Sequence, residues 1–141
     1  MHVGDLDGLT RSGSSGWRAR VTITIHDQSH AAVADAVVSA TWSGGYSAGA
    51  SCMTGTDGQC TLSSDLVSLQ SNVTFTVDSV AHGSFAYHPG ENHDPDGDSD
   101  GTTIILSASG VVSLAEMMVA APGGGFMSRM VNLLVRLFEF H

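Results

Sequence analysis

Trp17–His26 reads WRARVTITIH and alternates strictly. Trp17, Ala19, Val21, Ile23 and Ile25 share one parity; Arg18, Arg20, Thr22, Thr24 and His26 share the other. Side chains at period two leave opposite faces of an extended backbone, so this is a strand with one face in a core and one toward water. The same signals repeat on either side. Ala36–Trp42 reads as a second strand, closed by Ser-Gly-Gly. Tyr46–Met53 and Cys60–Ser63 flank a Thr-Asp-Gly turn and predict a hairpin. Val73–Val80 alternates, with Val73, Phe75 and Val77 inward, and Gly83–Tyr87 and Thr102–Ser107 bracket an acidic loop. The turns are too short for helical crossovers. The pattern predicts an all-β, immunoglobulin-like antiparallel β-sandwich over residues 1–109, with Trp17 and Trp42 packed in its core.

Composition agrees with a folded domain: 42% of the 141 residues are hydrophobic and 13% charged. The net charge of −9 leaves no basic patch for phosphates, so nucleic-acid binding is excluded as an expectation. No Walker-type loop, dinucleotide fingerprint or G-x-S-x-G elbow occurs. The two cysteines, Cys52 and Cys60, lie either side of the Thr-Asp-Gly turn and are expected to form a disulfide, which implies an oxidising compartment. The alternative is a pair of buried thiols. No signal peptide is visible.

Beyond Ser109 the character changes. Residues 110–125 read as a short apolar helix and a Pro-Gly-rich linker. Residues 126–141 read as an amphipathic helix whose polar positions Arg129, Asn132, Arg136 and Glu139 form one narrow stripe. A helix of this length falls short of the ~20 residues that span a bilayer. Its apolar surface must be covered, and self-association into a homo-oligomer is favoured over docking on the sandwich or contact with a membrane surface. A cloning remnant is the dull alternative.

The chemistry concentrates in NHDPDGDSDG, Asn92–Gly101. Five of the fourteen acidic side chains fall between Glu91 and Asp100. Like charges this close repel unless a cation lies between them. Asp96-x-Asp98-x-Asp100-Gly101 matches the first six positions of a calcium loop, with oxygen ligands at alternate residues and a glycine for the turn. The twelfth position is Ser107 rather than a bidentate Glu, so the loop is an incomplete EF-hand, with Asp94 as a candidate for the missing carboxylate. Asp5 and Asp7 in GDLDG are a second acidic pair that joins the site if the sheet brings them together. An unoccupied acidic turn is the plain alternative.

Seven histidines are present, and His82, His88 and His93 flank the acidic loop. Imidazoles with a carboxylate suit zinc. The alternative function is therefore a zinc hydrolase of phosphate or carboxylate esters with these ligands, in which Glu91 and His93 are the candidate catalytic groups. His26 and His30 flank another turn and form a candidate second site.

Four stretches together resemble the bacterial immunoglobulin-like modules found at the ends of secreted proteins, proteases among them: Met1–Gly8, Val21–Gly45, the Cys52–Cys60 hairpin and Asn92–Thr102. Within Asp27–Val38 the resemblance departs from the usual pattern, with Ala32 where proline is usual and Asp35 where glycine or asparagine is usual. It implies a non-catalytic accessory role outside the cell, in spacing, adhesion or attachment, and that Met1 is internal to a longer chain. The expectation is thus a secreted binding or scaffolding module with a structural calcium loop, assembled through residues 126–141.

Overall fold

The computed structural model describes residues 1–112. The expected helix at 126–141 and most of the 110–125 segment lie outside the described residues. Among the described residues eight strands run β1 (His2–Ser12), β2 (Trp17–His26), β3 (Val37–Gly44), β4 (Ala48–Met53), β5 (Gln59–Ser63), β6 (Val73–Ala81), β7 (Thr103–Ser107) and β8 (Gly110–Val111), with a short 3-10 turn at Pro89–Glu91. They form two antiparallel sheets, in the orders β1-β2-β5 and β4-β3-β6-β7-β8. Among the described residues no helix is long and apolar enough to cross a membrane.

The inward face of β2 is as expected: Trp17, Ala19, Val21, Ile23 and Ile25 are all buried, while on the other face Thr24 is buried as well. Val73, Phe75 and Val77 of β6 face them, as do Val38, Ala40 and Trp42 of β3. Trp42 packs edge-on to Phe75 at 4.7 Å between ring centroids, a favoured aromatic geometry. Trp17 is buried with its Nε1–H donating to the Ser68 carbonyl at 2.8 Å.

Two expectations about the strands are corrected, and two strands were not expected. The segments around Thr-Asp-Gly are not partners in one ladder: β4 pairs with β3 and β5 with β2, in different sheets. The Cys52–Cys60 disulfide, Cα–Cα 5.9 Å, therefore ties the two sheets together. The turn between them is tight, with Gly58 at φ 76° donating to the Gly55 carbonyl and Asp57 Oδ1 accepting from Gln59 N–H, and its two ends are held apart: Thr54 N–H donates to Ala36 O ahead of β3, while Gly58 O accepts from Ile25 N–H of β2. Gly83–Tyr87 is not a strand. It runs irregularly beside Met1, held by the Met1 amine donating to Ala86 O and by His88 N–H donating to Met1 O. The first strand, His2–Ser12, was not expected, and β8 carries the second sheet past the expected boundary at 109. Asp35 sits at φ 59°, left-handed backbone that glycine and asparagine tolerate best, which explains why its presence there is a departure.

Candidate metal centres

The site is built on the outer edge of β1. Among the described residues β1 pairs only with β2. Its register slips between Val3 and Asp5, a bulge at Gly4. The extra residue shifts parity, so Val3 and Leu6 both enter the core, leaving His2 and Asp5 to face the acidic loop. Gly4 lies against the His26 ring, which an added Cβ would have to displace.

The acidic loop docks on that edge almost as a strand would. Asn92 Oδ1 accepts from Val3 N–H at 2.8 Å, and His93 N–H donates to Val3 O at 3.1 Å. Asn92 Nδ2 also donates to Tyr87 OH and Thr102 Oγ1, at 2.7 and 3.0 Å. Gly101, at φ 85°, lies so close to His93 that a Cβ would stand 2.5 Å from the His93 nitrogen. Conformation and space both demand glycine.

This docking assembles two clusters. In the first, Asp5, Asp94, Asp96 and Asp98 each offer a carboxylate oxygen within 4.8 Å of the others. Opposite oxygens around calcium stand about 4.6–5.2 Å apart, so four oxygens this close could reach one ion. The alternation is the expected one, but it starts two residues early, at Asp94. Asp100 is not brought into the cluster: its Oδ1 accepts from Thr102 and Thr103 N–H at 2.9 and 2.6 Å and closes the turn into β7. Ser107, the expected twelfth position, lies in β7, where its Oγ donates to Gly110 O and meets Ser109 Oγ at 3.0 Å. Gly97, at φ 75°, makes the sharp bend. Asp7 is exposed outside the group of four, yet its charge acts on Asp5.

The carboxyls show the strain of sharing one site. Burial, then hydrogen bonding to Asp94, raises Asp5 to about 8. Burial, then hydrogen bonds to Asp94 and Asp96, raises Asp98 to about 8. Asp96 is raised chiefly by its hydrogen bond to Asp94. Burial opposes ionisation of Asp94, but hydrogen bonds from Asp98, Asp96, Ser99 and Asp5 outweigh it and hold its carboxyl well below the usual range. Ser99, itself buried, donates to Asp94 Oδ2. A low carboxyl at Asp94 beside raised ones at Asp5, Asp96 and Asp98 is how like charges share a site without a cation. A divalent ion would displace those protons.

The second cluster is imidazole. His2, His30 and His93 each place a ring nitrogen within 4.8 Å of the others. His30 comes from the β2–β3 loop, at φ 62°, where Asp27 Oδ1 accepts from Ser29 and Ala31 N–H. Burial holds His2 below the ordinary histidine range, with His93 and His30 adding to the effect. Burial likewise lowers His26, whose ring packs over Gly4.

Of the expected histidine set, only His93 belongs here. His82 accepts from Ser84 N–H at its Nδ1 and packs on Phe85, and His88 lines a separate hollow with Met1 and Asp27. Both sit on the irregular segment rather than on one strand face, which removes the reason for grouping them. Glu91 stands at the rim, its Oε2 3.8 Å from His2 Nδ1. His2, absent from the expected ligand sets, is the residue that sequence reasoning missed. Its partner in the cluster is 91 positions away in the chain, and no local spacing signals that.

Comparison with known proteins finds no matching family model, no matching curated protein and no matching solved structure.

Proposed function

We propose that this chain is a non-catalytic, extracellular immunoglobulin-like module for binding or scaffolding, with its acidic loop closed by a calcium ion. The observation that carries the reading is the convergence of the carboxylates of Asp5, Asp94, Asp96 and Asp98 from two distant segments to within reach of one ion. All-oxygen donors select calcium over transition metals. Strands one, two and five in one sheet and four, three, six and seven in the other support the immunoglobulin-style order. The cross-sheet disulfide supports an oxidising location. Assembly of copies through residues 126–141 rests on the apolar surface of that segment in the sequence.

The test is thermal unfolding in chelator and in calcium. A ligand at a hundredfold its Kd adds about 2.7 kcal/mol to the folded state, so Tm should rise clearly with calcium and the Asp96→Asn, Asp98→Asn double variant should lose the rise. Superimposable curves for the unaltered chain in chelator and in millimolar calcium would end the calcium reading. For assembly, Leu134→Asp with Leu137→Asp should give a folded monomer by light scattering; an unchanged mass removes that part.

A further inference from the structure

His2 is 3% exposed, and neither of its ring nitrogens has a hydrogen-bond partner among the described residues. Buried polar groups are nearly always paired, because an unpaired one keeps its full desolvation cost. The nearest carboxylate, Glu91, is too far at 3.8 Å to serve as a partner. Two more imidazoles face His2 instead. Ring centroids lie 5.1 Å away for His93 and 5.4 Å for His30, and those two are 5.5 Å from each other. The three rings arrive from β1, the β2–β3 loop and the acidic loop, so their meeting is a product of the tertiary fold rather than of local sequence.

We propose that His2, His30 and His93 hold a zinc ion, with the fourth coordination position open toward Glu91 and solvent. Zinc takes imidazole nitrogens at about 2.0–2.1 Å, so tetrahedral ligands stand roughly 3.3 Å apart. The exposed His30 and half-buried His93 rings close to that spacing by rotation, while the buried His2 ring forms the fixed wall. Nitrogen donors separate this centre from the carboxylate cluster, since borderline zinc prefers imidazole and hard calcium prefers oxygen. His26 stands outside the ligand set, its ring packed over Gly4. An open hollow lined by His2, Gln28, His30, Glu91 and His93 gives the ion access to solvent. Three protein ligands and an open position mark a zinc site that accepts a water or an exogenous anion, in contrast to closed structural sites. The proposal is independent of calcium in the neighbouring loop.

The experiment uses the untagged full chain, stripped of metal and then supplied with excess calcium so that the carboxylates are occupied. Zinc chloride is titrated by calorimetry, and cobalt(II) is added in parallel for visible spectroscopy. About one zinc per chain should bind, and the cobalt form should show the strong ligand-field bands of a four-coordinate, nitrogen-rich site. His30→Ala, at an exposed position that leaves the fold intact, should weaken zinc roughly tenfold or more, as should His93→Ala. His82→Ala and His88→Ala should leave binding unchanged. Absence of zinc binding, or binding indifferent to both His30→Ala and His93→Ala, would overturn the proposal. So would zinc lost in Asp96→Asn but retained in the histidine variants, which would put the ion among the carboxylates.

Discussion

The side chain of Asn92 accepts a hydrogen bond from the backbone N–H of Val3, 89 positions away, and this contact joins the acidic loop to the first strand. The same amide donates to Tyr87 OH and Thr102 Oγ1. Asn92→Ala removes all three bonds and leaves Val3 N–H unpaired. An unsatisfied buried donor costs about 1–3 kcal/mol, and the urea midpoint should fall accordingly. Asp5 and Asp94 would lose their shared register, so calcium affinity should fall with it. An unchanged midpoint would contradict the role given to Asn92.

The glycines of the loop separate two kinds of demand. Gly97 has φ 75° and nothing within contact of an added Cβ, so Gly97→Ala should cost only the left-handed penalty, about 1–2 kcal/mol. Gly101 has φ 85° and the His93 backbone against it. Gly101→Ala should destabilise by more than Gly97→Ala and should also displace His93. Equal losses in denaturant titrations of the two variants would argue against the close packing.

Because Cys52 and Cys60 sit in different sheets, their bond restrains the sandwich itself. A closed loop this short is worth about 2.5 kcal/mol on the chain-entropy account. The Cys52→Ala, Cys60→Ala double variant should unfold at correspondingly lower denaturant, with the native circular dichroism retained below the transition. No loss of stability would show that β4 and β5 are held together by packing alone.

The acidic cluster predicts an unusual pH profile for metal-free protein. Asp5 and Asp98, raised to about 8 in the fold, stabilise it fully below their unfolded value near 3.8, and that contribution is lost as pH rises through 8. Asp94, held low, acts oppositely, and only in more acidic solution. In chelator the urea midpoint should therefore fall between about pH 5 and pH 8. Calcium should abolish the fall, and its binding near neutrality should release protons measurable in a pH-stat. A flat profile in chelator would contradict this account.

How much of this was legible depends on distance along the chain. The inward face of β2 follows from alternation because each side chain's direction is set by its neighbours. The first strand was hidden because the bulge at Gly4 breaks the period of two. Thr-Asp-Gly correctly marked a reversal at Cys52–Cys60, but a turn does not say whether its flanking strands pair with each other. Asp100 has the right spacing for a ligand, and only the nearby Thr102 and Thr103 amides reveal its use as a turn closure. His2 and His30 needed tertiary contacts to be placed beside His93.

The docking of the 86–93 segment has a further consequence. Met1 and Val3 present outward backbone groups that an unpaired strand edge would offer to any other chain, and Ala86, His88, Asn92 and His93 occupy them all. Exposed edges template intermolecular strand addition. Weakening this segment should therefore expose the module to edge-to-edge aggregation while its two sheets are still folded, so the loop protects solubility as well as organising ligands.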